Sequence, residues 1–410
     1  MKIKYKQYAW ITILIFTGFM LSCNKKDAYL GYTPGKGMPT ITSVHTLSKT
    51  FYNDTLTTIA QSYDTSGTLT TTMGMSVKDS TYAFDSVTNA GNLGNYYVIH
   101  GTNLGSATAI YFNGTRAYFN RSLGTDQTIV VAVPSKTPYY GPNATDSLVV
   151  TTTSGKAYYK FTIIAPPPTP STYSNYNFSA GSQISLTGVG FLNVNSVSIV
   201  DADTPGDSAT VSIVSQNDSL LVLKFPATAM YQGYLKFNYT TVSGKAALTA
   251  KQELVDIDNA YQIFTDNFGP NGWGNNSWHY PSGVSTAEAI SGTSSFLATY
   301  PKGSWQIEGF NNWYPSLPYS ADYKYISFWV KGGLIEHTLN IQTNTSSLGY
   351  GQNDGNPITV PANVWTYFKI PISTLDFWTH GSTLQTLGFF LKGPDNADEV
   401  YYFDDVVLIK

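Results

Sequence analysis

The side chains with most to offer chemically in this 410-residue chain are its tryptophans, because seven of the eight lie beyond residue 272. Trp273, Trp278, Trp305, Trp313, Trp329, Trp365 and Trp378 all fall within residues 259–410, more indole than one domain core of that size accommodates. An indole left outside a core presents a flat face that stacks on the C–H side of a sugar ring, and amides or carboxylates beside it bond the hydroxyls at the ring's rim. Trp305, Trp313 and Trp378 have polar or turn-forming neighbours (Gly303-Ser304, Asn311-Asn312, Thr379-His380-Gly381), which predicts exposed platforms. Tyr350, set between Gly349 and Gly351, is a fourth aromatic candidate. Glu308, Asn311, Gln342, Asn344 and Lys392 are the expected hydrogen-bonding partners, since Asn340, Gln342 and Asn344 share one strand face by the two-residue period. Trp329 and Trp365 sit in alternating strand patterns and are expected in the core, with Trp273 and Trp278 next in line as platforms.

The same segment contains few groups for bond-breaking chemistry. Glycoside hydrolysis commonly needs two carboxylates roughly 5 to 9.5 Å apart, and the glutamates Glu288, Glu308, Glu336 and Glu399 lie in no hydrolytic motif. The five histidines, His45, His100, His279, His337 and His380, form no H-E-x-x-H pattern, and no G-x-S-x-G turn is present. The sequence therefore reads as non-catalytic. Two readings compete with saccharide capture: a non-glycan adhesin or structural stalk, and a glycoside hydrolase accessory or catalytic module.

Charged residues make up only 12% of the chain, with Lys+Arg 23 against Asp+Glu 26 and just two arginines, Arg116 and Arg121. A nucleic-acid binder needs clustered cations, so that class is excluded. Aromatics at 15% and abundant Ser, Thr, Asn and Gly favour pleated strands and tight turns over helices. The expected fold is all-β, with several domains. At the N-terminus, Lys2, Lys4 and Lys6 precede an apolar run from Ala9 to Leu21 and then the only cysteine, which reads as a secretory leader. Met20-Leu21-Ser22-Cys23 resembles a bacterial lipobox, and that resemblance implies loss of residues 1–22 and lipidation of Cys23. No thiol would remain for disulfides.

Residues 23–38 lack hydrophobic periodicity and read as a tether. Short β-rich runs follow over residues 39–165, including Tyr96-Tyr97-Val98-Ile99-His100 and Ser147-Leu148-Val149-Val150-Thr151. This region resembles an IPT/TIG immunoglobulin-like domain through Pro39-Thr40-Ile41-Thr42-Ser43-Val44, Gly101-Thr102-Asn103-Leu104-Gly105, Tyr111-Phe112-Asn113-Gly114 and Val133-Pro134. The Thr/Ser-rich stretch 45–85 is an insertion expected to form an extra hairpin. A proline-rich linker at 166–170 fixes φ and removes donors, marking a boundary. Residues 171–258 repeat the strand-and-turn grammar as a second immunoglobulin-like β-sandwich. Residues 259–410 resemble a β-jelly-roll carbohydrate-binding module through Phe328-Trp329-Val330-Lys331-Gly332, Trp365-Thr366-Tyr367-Phe368-Lys369-Ile370-Pro371-Ile372-Ser373 and Tyr402-Phe403-Asp404-Asp405-Val406.

Taken together, the order of leader, stalk and jelly roll resembles the surface glycan-binding proteins of Bacteroidota polysaccharide-utilisation loci, particularly the xyloglucan-binding type. The resemblance implies a lipid-anchored protein on the outer membrane that captures xyloglucan or another β-glucan or β-mannan. A SusC/SusD-like outer-membrane transport complex would be its partner. It implies no required cofactor but a possible structural Ca²⁺, with oxygens from Asp266, Asn267 and Asp404 or Asp405. Asp-Ser/Thr tripeptides at Thr55, Ser80, Ser86, Ser147, Ser208 and Ser219 resemble O-glycosylation acceptors, and all precede residue 259.

Overall fold

The computed structural model describes residues 35–63, 69–242, 244–394 and 396–410, with the backbone alone described over 50–63 and 69–80. The leader, Cys23 and the tether up to residue 34 lie outside the described residues. Strands dominate, and the described residues divide after Ile164 into two compact units.

In the first unit, Val87–Thr88, Thr40–Thr46, Tyr96–Thr102 and Thr128–Ala132 form one four-stranded sheet. A second runs Gly155–Lys160, Ser147–Thr152, Ala107–Phe112, Thr115–Ala117. Alternation sends Leu148 and Val150 inward, where they meet Val44, Ile99, Ile110 and Phe161 in a closed core. Asn113 and Gly114 both hold positive φ (45° and 77°) and close the hairpin between Ala107–Phe112 and Thr115–Ala117, the turn geometry that matches strand twist. As its composition predicts, the insertion is a hairpin, Ser48–Tyr63 against Leu69–Ala83. The end of the expected tether is not free: Gly35 N donates to Asp126 Oδ1 (2.9 Å), and the Met38 carbonyl accepts from Asn103 Nδ2 (3.0 Å).

The second unit begins with a sandwich whose eight strands run in one continuous path from Thr169–Tyr173 to Asn177–Phe178. Pro170 therefore lies in an edge strand, the position in a sheet that tolerates proline, and the expected linker is partly strand. Phe178, Leu186, Phe191, Leu223, Leu235 and Phe237 fill the interior.

No spacer separates this sandwich from the jelly roll. One jelly-roll sheet runs Gly283–Ser285, Ser295–Tyr300, Glu399–Ile409, Tyr325–Lys331, Trp365–Pro371. The other runs Gly274–Asn275, Gln306–Asn311, Thr386–Leu391, His337–Thr343, Pro357–Val360. Phe264, Phe296, Phe310, Phe328, Phe389 and Phe403 pack between them. The outer face of the first sheet is also covered. Val407 and Ile409 pack with Val255 and Ala260, the Trp329 ring lies 4.7 Å from Tyr176, and Lys369 Nζ meets Glu253 Oε1 at 2.9 Å. Burial pushes the Glu253 carboxyl up and Lys369 opposes that shift. Trp329 is thus buried as expected, but against the preceding sandwich rather than in the jelly-roll core. Trp365, on the edge strand of the same sheet, is only half-buried.

Candidate functional site

Along Gln306–Asn311 the even positions point inward, since Phe310 joins the core and Glu308 is fully buried. The odd positions, Ile307, Gly309 and Asn311, point outward. Continuing that alternation puts Trp305 (46% exposed) and Trp313 (61% exposed) on the same outward side, up to about 26 Å apart at roughly 3.3 Å per residue. Both side chains emerge where the strand ends, which is why neither is covered by a neighbouring strand.

Between them the sheet carries a trough, because Gly309 pairs with Gly388 and neither has a side chain. The segment 344–356 fills it. A Cβ on Gly388 would stand 2.7 Å from the Tyr350 ring, so that ring lies directly on the glycine. Tyr350 Oη donates to the Asn276 carbonyl (3.2 Å), Gly351 N donates to Gln342 Oε1 (2.9 Å), and Gln342 Nε2 donates to the Asn353 carbonyl. Ile307 and Phe390 face outward yet are closed off from solvent. The accessible surface is consequently a ridge of aromatics at strand ends and loops. Trp278, 51% exposed, meets Tyr350 edge-on at 6.3 Å. Trp305 meets Phe390 edge-on at 6.3 Å, and the Lys392 ammonium stands 4.8 Å from the Trp305 ring. Gln352 Nε2 donates to the Trp305 carbonyl (2.8 Å), and Asp354 lies 3.8 Å from Lys392.

Several expected ligand contacts are reassigned by burial. Glu308 accepts Ser282 Oγ (2.6 Å) and His279 N (3.1 Å), so it positions the turn that carries Trp278 instead of reaching a ligand. Its burial raises the carboxyl pKa to about 7, against the lowering influence of Ser282, Ser277 and His279. Gln342 is buried and spent on the 344–356 segment. Asn344 accepts Gln385 N (2.8 Å) and Thr386 N (3.1 Å) and donates to the Thr383 carbonyl (3.0 Å), which braces the sheet edge. Trp378 is half-buried: it stacks on Tyr323 (6.3 Å, 12° between planes), meets Tyr319 edge-on, and has its indole N–H buried without a partner among the described residues. Its polar neighbours reflect a turn with φ 55°, not exposure. Trp305, Trp313, Lys392 and Asn311, which donates to the Asn275 carbonyl (3.1 Å), remain along the ridge, with half-buried Tyr350 between them. Trp278 and Gln352 join them. The neighbour criterion that selects Trp305 selects Trp278 as well, given Asn275-Asn276-Ser277 before it and His279 after.

The expected calcium oxygens are engaged by protein donors. Asp266 Oδ1 accepts Thr293 N (2.6 Å) and Ser294 N (2.8 Å), and Asn267 Oδ1 accepts Phe268 N. Asp404 takes Ile290 N, Ser291 N and Asp405 N, while Asp405 takes Ser291 Oγ (2.6 Å) and Asn177 Nδ2. Protein donors thus hold Asp266 Oδ1, Asn267 Oδ1 and the oxygens of Asp404 and Asp405, and no group of three or more His, Cys, Asp or Glu side chains suited to a metal occurs among the described residues. Burial pushes both carboxyls up, and Asp405 raises Asp404 further. Through Asn177 and Ser291, whose Oγ accepts Tyr176 N (2.8 Å), this pair ties the jelly roll to the preceding sandwich.

No family model matches the chain. An IPT/TIG domain-containing protein of Bacteroides ovatus is 27% identical over 155 residues, 35% of this chain and 32% of that one, so the match spans about a third of the relative's length. Among solved structures, the surface glycan-binding protein PbSGBP-B of Prevotella bryantii is similar at TM-score 0.39 and 16% identity, covering 92% of this chain and 99% of that one. SGBP-B from a complex xyloglucan utilization locus in Bacteroides uniformis is similar at 0.32 and 15%, covering 91% and 99%. A family 11 carbohydrate-binding module of Clostridium thermocellum is similar at 0.26 and 18%, covering 37% and 94%. Identities and TM-scores this low carry no ligand or role across to this chain.

Proposed function

We propose that the chain is a non-catalytic polysaccharide-binding protein that holds an extended glycan along the Trp305–Trp313 ridge. The observation that carries this reading is the ridge itself: indoles at both ends of one strand, Trp278 and Tyr350 between, and amides and a cation alongside. Aromatic faces spaced along a line suit a chain of pyranose rings better than a single small molecule, which favours an enclosed pocket. The carboxylates nearest the ridge are occupied, Glu308 by its turn and Asp354 beside Lys392, which supports binding rather than hydrolysis.

The finer reading follows from the sequence resemblance. The glycan is a β-glucan, xyloglucan or β-mannan, Cys23 is lipidated, and the protein stands on the outer membrane beside a SusC/SusD-like transporter to which it passes the captured chain. Calorimetry with the chain from residue 24 onward and a panel of these polysaccharides tests the binding. Trp278→Ala, Trp305→Ala and Trp313→Ala are each expected to weaken it by about 1 to 2 kcal/mol, roughly tenfold. Unchanged affinity in all three would remove the site from this ridge. Palmitate labelling in the native host, lost in Cys23→Ala, tests the anchor.

A further inference from the structure

The only two arginines in the chain converge on one place in the first sandwich. Arg116 lies on Thr115–Ala117, and Arg121 opens the short 3-10 turn Arg121–Leu123, which Asn120 caps by accepting Ser122 N (3.0 Å). Both line a hollow of about 360 Å³ with Thr108, Tyr118 and Phe119. Arg116 and Tyr118, two residues apart, point outward together, and Tyr118 is 85% exposed. Among the described residues neither guanidinium takes part in an ion pair, every such pair being made by Lys or His. Residues 84–164 carry five basic and three acidic side chains, whereas residues 165–410 carry ten basic and nineteen acidic.

The sheet carries further outward side chains beside Arg116. Cross-strand partners share a face, so the register Tyr158, Val149, Tyr111, Arg116 is one outward row across four strands, about 14 Å at roughly 4.8 Å per strand. A second open hollow, about 600 Å³, lies on this row and is lined by Tyr111, Tyr158, Lys156, Thr115, Thr151 and Asn143. Tyr158 is 70% exposed. Both volumes fall in the range of about 300 to 1,000 Å³ typical of small-ligand sites. Their lining of tyrosine rings, hydroxyls, an amide and cations is a saccharide lining with one addition, the paired guanidinium forks, which match a planar carboxylate in a bidentate way.

From this juxtaposition we infer that the first sandwich holds a second saccharide site, independent of the Trp305–Trp313 ridge, that selects an acidic sugar. Arg116 and Arg121 grip the carboxylate of a uronic acid residue, Tyr118 lies beside its ring, and the Tyr111–Tyr158 row receives the neighbouring units. The site goes beyond the proposed function and does not depend on it, because neutral glycan binding and acidic glycan binding are read on different residues.

Calorimetry with the chain from residue 24 onward and an oligogalacturonate, alongside its fully methyl-esterified form, tests the inference. The free acid is expected to bind at low salt and weaken as salt rises. Arg116→Gln and Arg121→Gln should each weaken it at least tenfold, with lysine at either position restoring part of the loss, and esterification should match the arginine losses without any change to the protein. Trp305→Ala and Trp313→Ala should leave acidic binding unchanged, and the arginine variants should leave neutral polysaccharide binding unchanged. The inference is overturned if no uronate binds, if the esterified form binds equally, or if the arginine variants bind the acid as well as the parent. Binding of polyglutamate or of anionic phospholipid vesicles in place of the uronate overturns it too.

Discussion

Replacing Glu308 by glutamine asks whether a buried acid positions the turn beneath Trp278. In the fold the carboxyl is closed off from water and its pKa rises from 4.5 to about 7. A carboxyl whose folded pKa exceeds its unfolded one holds its proton more tightly in the native state. Its contribution to stability is therefore fully present below about pH 4.5 and is lost as pH rises through about 7. The pKa difference corresponds to about 3 kcal/mol, most of it lost between pH 4 and 8. Glutamine keeps the geometry, because its amide oxygen can accept His279 N and its NH₂ can donate to Ser282 Oγ. Tryptophan fluorescence reports unfolding of the jelly roll selectively, since every tryptophan after Trp10 lies there. Urea titrations at pH 4, 5, 6, 7 and 8 should show the parent losing about 3 kcal/mol relative to Glu308→Gln across the series. Asp404 and Asp405 titrate in both proteins and cancel in the difference. Parallel stability curves for the two proteins would refute the account, because they would mean that Glu308 ionises in the fold as easily as in water.

Trp329→Ala should destabilise the second unit by about 3 to 5 kcal/mol by opening the contact with Tyr176, without changing glycan affinity, as denaturation and calorimetry together would show. Residues 259–410 expressed alone bare Trp329, Val407 and Ile409, so that fragment should self-associate in light scattering while 165–410 stays monomeric. Because protein donors hold Asp266 Oδ1 and the oxygens of Asp404 and Asp405, millimolar calcium after chelation should leave the thermal midpoint unmoved; a rise of several degrees would contradict this. Peptide mapping of protein from the native host should find glycans on the exposed Ser86, Ser208 and Ser219 rather than on half-buried Ser147, which is bonded to Thr145.

Strand content, the hairpin insertion and the concentration of tryptophan in the last 150 residues were legible in the sequence because they are local. The two-residue period, Asn-Gly turns and residue types act within a few positions, so Ala107–Phe112 and its Asn113-Gly114 turn could be read directly. Trp305 and Trp313 were legible for the same reason: their polar and turn-forming neighbours, Gly303-Ser304 and Asn311-Asn312, mark both as positions beyond a strand end. Which outward residues stay outward was decided only by tertiary structure. Trp329 points away from the jelly-roll core yet is buried, because a second sandwich covers that sheet. Gln342 lies on the outward face but is consumed by the segment crossing it, and Trp378 is half-buried against Tyr319 and Tyr323. Glu308 looked like a hydroxyl partner because a carboxylate near tryptophan usually is exposed, and only the turn folding back from Ser282 shows otherwise. Alternation fixes the direction in which a side chain leaves its strand, whereas exposure depends on what arrives from elsewhere in the chain, and that is a long-range property no local pattern encodes.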